Sequence, residues 1–159
     1  ELISIIVPFY NEEKSVIPFV NELKKIWDNK KLLIVEGYNT KLGIGNDLLD
    51  NAKSIKRILC PNKNAYNFYE KILQSVVRNY CQEELVLIAL GPTATVLAAD
   101  LCINNNIQAI DIGHIDIEYM WYKNKSVKRE IIKNKNTAEM ISLDYDEKNI
   151  TEGTIDIIK

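Results

Sequence analysis

One short stretch concentrates the side chains best suited to chemistry. Residues 111–118 read Asp-Ile-Gly-His-Ile-Asp-Ile-Glu and place His114, the single histidine of the chain, just ahead of Asp116 and Glu118. In an extended backbone, residues two apart share a face, so the imidazole and both carboxylates would converge. Carboxylate oxygens suit Mg²⁺ or Mn²⁺, and an added imidazole tilts the choice toward Mn²⁺. A competing reading puts Asp116 and Glu118 in the first turn of a helix running to Tyr122, where the dipole favours acids. Spacing alone leaves both open.

Three further stretches have the residue types of a ligand loop. Gly91, Pro92, Thr93, Ala94 and Thr95 follow an apolar run and precede a helical one. Such a strand-to-helix turn offers backbone N–H groups to a diphosphate, and the two threonines add hydroxyls. A plain N-capped helix with proline near its first position fits the same residues. Gly43, Gly45, Asn46 and Asp47 lie downstream of Glu36-Gly37. Two glycines let backbone approach a ligand closely, and Asn46 and Asp47 could read ribose or base edges. The other reading is a turn leading into a short helix at 47–53. Pro61, Lys63 and Asn64 end the third strand-like run, either as a ligand loop or as a helix start capped by Asn62 or Asn64. No GxSxG elbow is present, and Cys60, Cys81 and Cys102 read as small buried groups rather than nucleophiles.

The elements that must position these residues follow from periodicity. Continuous apolar runs at 3–7, 31–36, 56–60, 85–89 and 108–112 read as strands covered on both faces. Between them, Val16, Val20, Leu23 and Trp27 mark a helix over 13–28, and Ala65, Tyr69, Ile72, Val76 and Tyr80 mark another over 64–80. A third helix runs from Gly91-Pro92 to about Asn104. This alternation predicts an α/β fold, a Rossmann-like three-layer sandwich with a mostly parallel sheet. In such sheets ligands sit outside the carboxyl ends of the strands, where each of the four stretches falls.

The chain has 159 residues, 47% of them apolar and 26% charged, with 20 Lys+Arg against 22 Asp+Glu. That is one domain, residues 1–159, with no basic field for nucleic acid and no run long enough to span a membrane. Three cysteines without a CxxC pair predict neither a disulfide framework nor a structural zinc, and a cytoplasmic location is the default. The run at 123–136 carries six Lys and Arg against one acid, and reads as a solvated loop or as a basic rim beside a phosphate-bearing ligand. Residues 141–159 read as a closing element or tail. The opening at Glu1 suggests a chain that is N-terminally incomplete, and an exposed sheet edge there would favour a homo-oligomer.

Several longer motifs carry a resemblance. LIVEG, LGIGNDLLDNAKSIKRILCP, KNA, LIALGPTATVLAADL and QAIDIGHIDIEYMWY occur in that order. Across about residues 24–140 the chain resembles the GT-D-type bacterial glycosyltransferases. The resemblance implies a UDP-sugar donor held with Mn²⁺ (or Mg²⁺) through a D-x-E pair, here Asp116 and Glu118. It also implies transfer of glucose or a related hexose to a hydroxyl of a glycan or glycoprotein. Gly91 to Thr95 would match the post-strand turn, and Gly43 to Asp47 with Pro61 to Asn64 would line the nucleotide. The general base stays open among His114, Asp111 and Glu36. Departures are Tyr38, Lys41 and Met120, where the family has Glu, Arg and an acid. The family's N-terminal RFGDGE stretch is also absent, and residues 1–23, with SIIVPFYNEE, resemble the opening of GT-A-type glycosyltransferases. The alternative is a catalytically incomplete nucleotide-sugar-binding or partner module. A dinucleotide oxidoreductase ranks lower, because GxGxxG is missing.

Overall fold

The computed structural model describes residues 13–135 and 150–159. Helix α1 (Glu13–Trp27) leads into strand β1 (Lys31–Gly37), whose residues after Lys31 are all buried. Strand β2 (Ser54–Cys60), a 3₁₀ turn (Ala65–Phe68), helix α2 (Tyr69–Asn79) and the wholly buried strand β3 (Glu84–Ala89) follow. Helix α3 (Pro92–Asn105), strand β4 (Ala109–Asp111), helix α4 (Ile115–Lys123) and strand β5 (Thr154–Ile157) complete the described elements. The strands order as β4-β3-β1-β2-β5, and every described pairing is parallel. The expected strand at 3–7 lies outside the described residues.

Burial on both faces explains the continuous apolar strands. Leu32 and Ile34 point to one layer with Val16, Val20, Leu23 and Trp27 of α1 and Ile115 and Tyr119 of α4. Leu33 and Val35 point to the other, against Ile72 and Val76 of α2 and Ala94, Leu97 and Leu101 of α3. From β1 the chain moves outward to β2, returns through α2 to β3 on the far side of β1, and continues outward through α3 to β4. The direction of winding therefore reverses between β1 and β3.

Two local readings are corrected. Residues 47–53 form no helix: Leu48 N–H donates to Asn46 Oδ1 at 2.9 Å and Ala52 N–H to Leu49 O at 3.0 Å, so successive tight turns replace it. The helix expected over 64–80 begins as a 3₁₀ turn, because Asn64 sits in the left-handed region at φ 54°. The C-terminal segment pairs as an edge strand, with Gly153 O accepting from Arg57 N–H at 2.9 Å. Glycine is required there, since a Cβ on Gly153 would lie 2.7 Å from Ile55 O.

Candidate functional site

At the carboxyl ends of the strands, where the winding reverses, the loops part to form a cleft of about 550 Å³. Its walls come from the segments after β1 (Gly37, Thr40), β2 (Pro61 to Tyr66), β3 (Leu90 to Thr93) and β4 (Gly113, His114). Gly37 lets the first two meet. A Cβ there would lie 2.8 Å from Asn62 Oδ1, which accepts from Asn39 N–H at 3.1 Å. Helix α3 starts at the cleft with Gly91 at its cap, and among the described residues that end has no side-chain cap hydrogen bond. Helix α4 starts there too, capped by the exposed His114. Two helix starts, with Lys63 on the opposite wall, bias the cleft toward an anion.

Of the expected ligand residues, Pro61, Lys63, Asn64, Gly91, Pro92, Thr93, His114 and Asp116 line this cleft. The rest do other work. Ala94 is fully buried in the α3 core, and the exposed Thr95 donates its hydroxyl to Asp111 Oδ2 at 2.7 Å. Asp111 also accepts from Gly113 N–H at 3.0 Å, which fixes the turn between β4 and α4. Glu36 is wholly buried, with Oε1 2.5 Å from Arg57 Nη1 and Oε2 accepting from Leu42 N–H at 2.7 Å. Burial raises its pKa, and Arg57 opposes that. Of the three candidate bases, His114 is the one that lines the cleft.

Gly43, Gly45, Asn46 and Asp47 do not line the cleft. Gly43 has φ +74°, and a Cβ there would strike Leu49 at 2.7 Å, so the glycine serves close packing. Its N–H and Asn46 Nδ2 both donate to Asp116 Oδ1, each at 2.8 Å. Gly45 has φ +80° and open space around it, outside the cleft wall. Asp47 accepts from Lys24, Lys123 and the Tyr119 hydroxyl, whose donated hydrogen bonds, Lys123 first, hold its pKa well below the carboxylate range. It clamps α1 and α4 to the turns.

The D-x-E pair takes the helical alternative. Asp116 and Glu118 lie in the first turns of α4, and two residues of helix rotate by about 200°, so they do not share a face. Asp116 is 3% exposed and carries two N–H donors on one oxygen and the Lys135 ammonium on the other. These residues do not fit a divalent ion held between the two carboxylates, and among the described residues no group of three His, Cys, Asp or Glu converges for one. The basic run is divided among several partners. Lys135 is buried on Asp116, Lys123 joins Asp47, and the Arg129 guanidinium lies 6.0 Å from the Trp121 ring.

Sequence reasoning missed Tyr66, an aromatic 61% exposed on the cleft wall with its ring 5.4 Å from Tyr69. Its position directly after KNA was the available signal. Burial raises the pKa of the Cys60 thiol, in keeping with its reading as a core group, but the same reading fails for Cys81, which is exposed, and Cys102 is only half-buried. Among the described residues no helix is long and apolar enough to cross a membrane.

A family model described as "Glycosyltransferase GT-D fold" matches residues 2–140. The chain is 48% identical over 118 residues to "Probable glycosyl transferase Gly" of Streptococcus gordonii, covering 74% of this chain and 17% of that protein. It is 45% identical over 118 residues to "Glycosyltransferase GlyD" of Streptococcus pneumoniae serotype 4, covering 74% and 14%. A solved structure described as "The highly conserved domain of unknown function 1792 has a distinct glycosyltransferase fold" superposes with TM-score 0.80 at 42% identity, covering 90% of this chain and 52% of that one. "A New Glycosyltransferase (DUF1792) from Streptococcus sanguinis" superposes with TM-score 0.73 at 46% identity, covering 77% and 45%. The chain thus spans less than a fifth of these curated relatives and about half of the solved ones.

Proposed function

The chain belongs to the glycosyltransferase GT-D family, and from that premise we propose that its cleft binds a nucleotide-diphosphate sugar, with UDP as the nucleotide, and passes the sugar to a hydroxyl of a glycan or glycoprotein. The observation that carries this reading is the convergence of the α3 and α4 starts on one cleft where the sheet winding reverses.

The chemistry follows from where charge develops. As the bond between the sugar C1 and the diphosphate oxygen breaks, negative charge grows on the leaving UDP. The backbone N–H groups of Gly91 and Thr93, the dipole of α3 and the Lys63 ammonium are fixed in advance to stabilise that charge. The acceptor oxygen forms the new bond to C1 and must lose its proton. The His114 imidazole on the cleft wall accepts it and later releases it to water. Tyr66 offers a ring face to a base or a sugar.

The test is release of UDP from a panel of UDP-hexoses, with and without glycan acceptors, by the wild-type chain and by His114→Ala. Acceptor-dependent release that falls roughly 100-fold in the variant supports the assignment. Donor binding without turnover would instead make the domain a nucleotide-sugar-binding module.

A further inference from the structure

The basic run leaves three lysines with no part in the cleft. Lys123 and Lys135 are taken by Asp47 and Asp116, but Lys125, Lys128 and Lys133 are exposed and form no ion pair among the described residues. They stand on the loop that leaves α4, residues 124–134, with Arg129 and a single acid, Glu130. The same loop holds apolar side chains in water: Val127 is fully exposed and Ile131 is 67% exposed. It is also pinned. Ser126 N–H donates to Trp121 O at 3.0 Å, and the Trp121 indole N–H donates to Glu130 O at 2.8 Å. The Ser126 hydroxyl donates to the Glu130 carboxylate, so the one acid is turned onto the loop itself. Beyond it, Ile132 is buried and Lys135 N–H donates to Ile132 O at 3.1 Å. Folding gains nothing from two apolar side chains held in water between lysines, whereas a surface that accepts both kinds does.

We propose that residues 124–134 dock this chain on an anionic phospholipid surface. The lysines meet phosphate headgroups, and Val127 and Ile131 enter the boundary between headgroups and acyl chains. Charge favours this partner. The chain carries −2 overall, so attraction to an anionic surface must come from a local excess of cations, and this loop has four against one acid. The apolar pair favours lipid over an acidic protein. Neither side chain lines the cleft, and a fluid boundary takes up single apolar side chains without a matching pocket. The long lysine stems reach the headgroups while the apolar tips go deeper. The loop ends on Lys135, which is held by Asp116 of the cleft wall, so docking here also fixes the cleft relative to the surface. The docking does not rest on the donor reading above.

The experiment is co-sedimentation of the whole chain with vesicles of phosphatidylcholine, alone or mixed with phosphatidylglycerol. Binding is expected to the mixed vesicles only, and to weaken as salt rises. Lys125→Gln, Lys128→Gln and Lys133→Gln together should weaken it roughly ten-fold. Val127→Ser with Ile131→Ser should weaken it several-fold at unchanged charge. The same charge change made at the exposed Lys30, Lys31 and Lys53 should leave binding near wild type. Equal binding to both vesicle types, no binding to the mixed ones, or equal loss from either lysine triple overturns the proposal. Binding to soluble polyglutamate in place of the mixed vesicles also overturns it and makes the partner an acidic protein. A nitrobenzoxadiazole label on Val127→Cys, with Cys81→Ser and Cys102→Ser, reads insertion directly. Its emission should shift to the blue on mixed vesicles, and an unshifted spectrum on vesicles that carry the chain down overturns the proposal. UDP release is measured without lipid, so failure of one reading is not mistaken for failure of the other.

Discussion

Single residues carry this site through commitments made far away in the chain. Gly43 is one of them, because its left-handed backbone and its approach to Leu49 both exclude a side chain. Gly43→Ala should destabilise the fold by about 1–3 kcal/mol, and Gly45→Ala by less, since nothing lies within 4 Å of the latter position. Chemical denaturation of both variants checks the ordering. The buried Arg57–Glu36 pair makes a sharper case. Arg57→Met leaves Glu36 as a buried, unpaired carboxylate and should cost about 3–5 kcal/mol, whereas Arg57→Met with Glu36→Gln should recover part of that loss. A double-mutant cycle in urea measures the recovery. These commitments were poorly legible in the sequence. Asp47 looked like a ribose reader because its partners, Lys24 and Lys123, stand 23 and 76 positions away, where local pattern carries no information. Asp116 and Glu118 alternate with isoleucines in a way that fits a strand and a helix start equally well. Tyr119, which packs into the core one turn on, settles that choice only once the fold is known.

Elements were far easier to read than residues. The runs that became β1, β2 and β3 are apolar because both sheet faces are covered, and the stripes of α1 and α2 follow from one buried face each. The edge was harder. β5 has only four residues with partial burial, and its anchor is polar: Asp156 accepts from the Ser75 hydroxyl and from Arg78 Nη2 at 2.6 Å, both on α2. Those contacts, the Ser75 hydrogen bond first, hold the Asp156 pKa below its ordinary value. A carboxylate depressed in the folded state contributes stability above the unfolded pKa and loses it as pH falls through the folded value. Asp156→Asn should therefore lower stability by about 1 kcal/mol at neutral pH. It should also flatten the acid limb of the stability curve below about pH 4. Thermal unfolding of both proteins between pH 2 and 7 tests the claim, and parallel curves would contradict it.

The whole molecule places its ligand end by topology. Because β2 and β4 lie on opposite sides of the β1–β3 pair, the loops after β1 and β3 diverge and leave the cleft between them. A second depression of about 480 Å³, lined by Lys30, Lys31 and Lys53 but also by Glu83 and Glu84, lies at the amino ends of the strands and is the alternative place for an anion. The nucleotide is expected at the carboxyl end. The most direct measurement is titration of UDP into ¹⁵N-labelled chain, followed by amide chemical shifts. Shifts are expected to concentrate at residues 37–40, 61–66, 90–93 and 113–117. Shifts centred on Lys30, Lys53 and Asn106, or none at millimolar UDP, would contradict it.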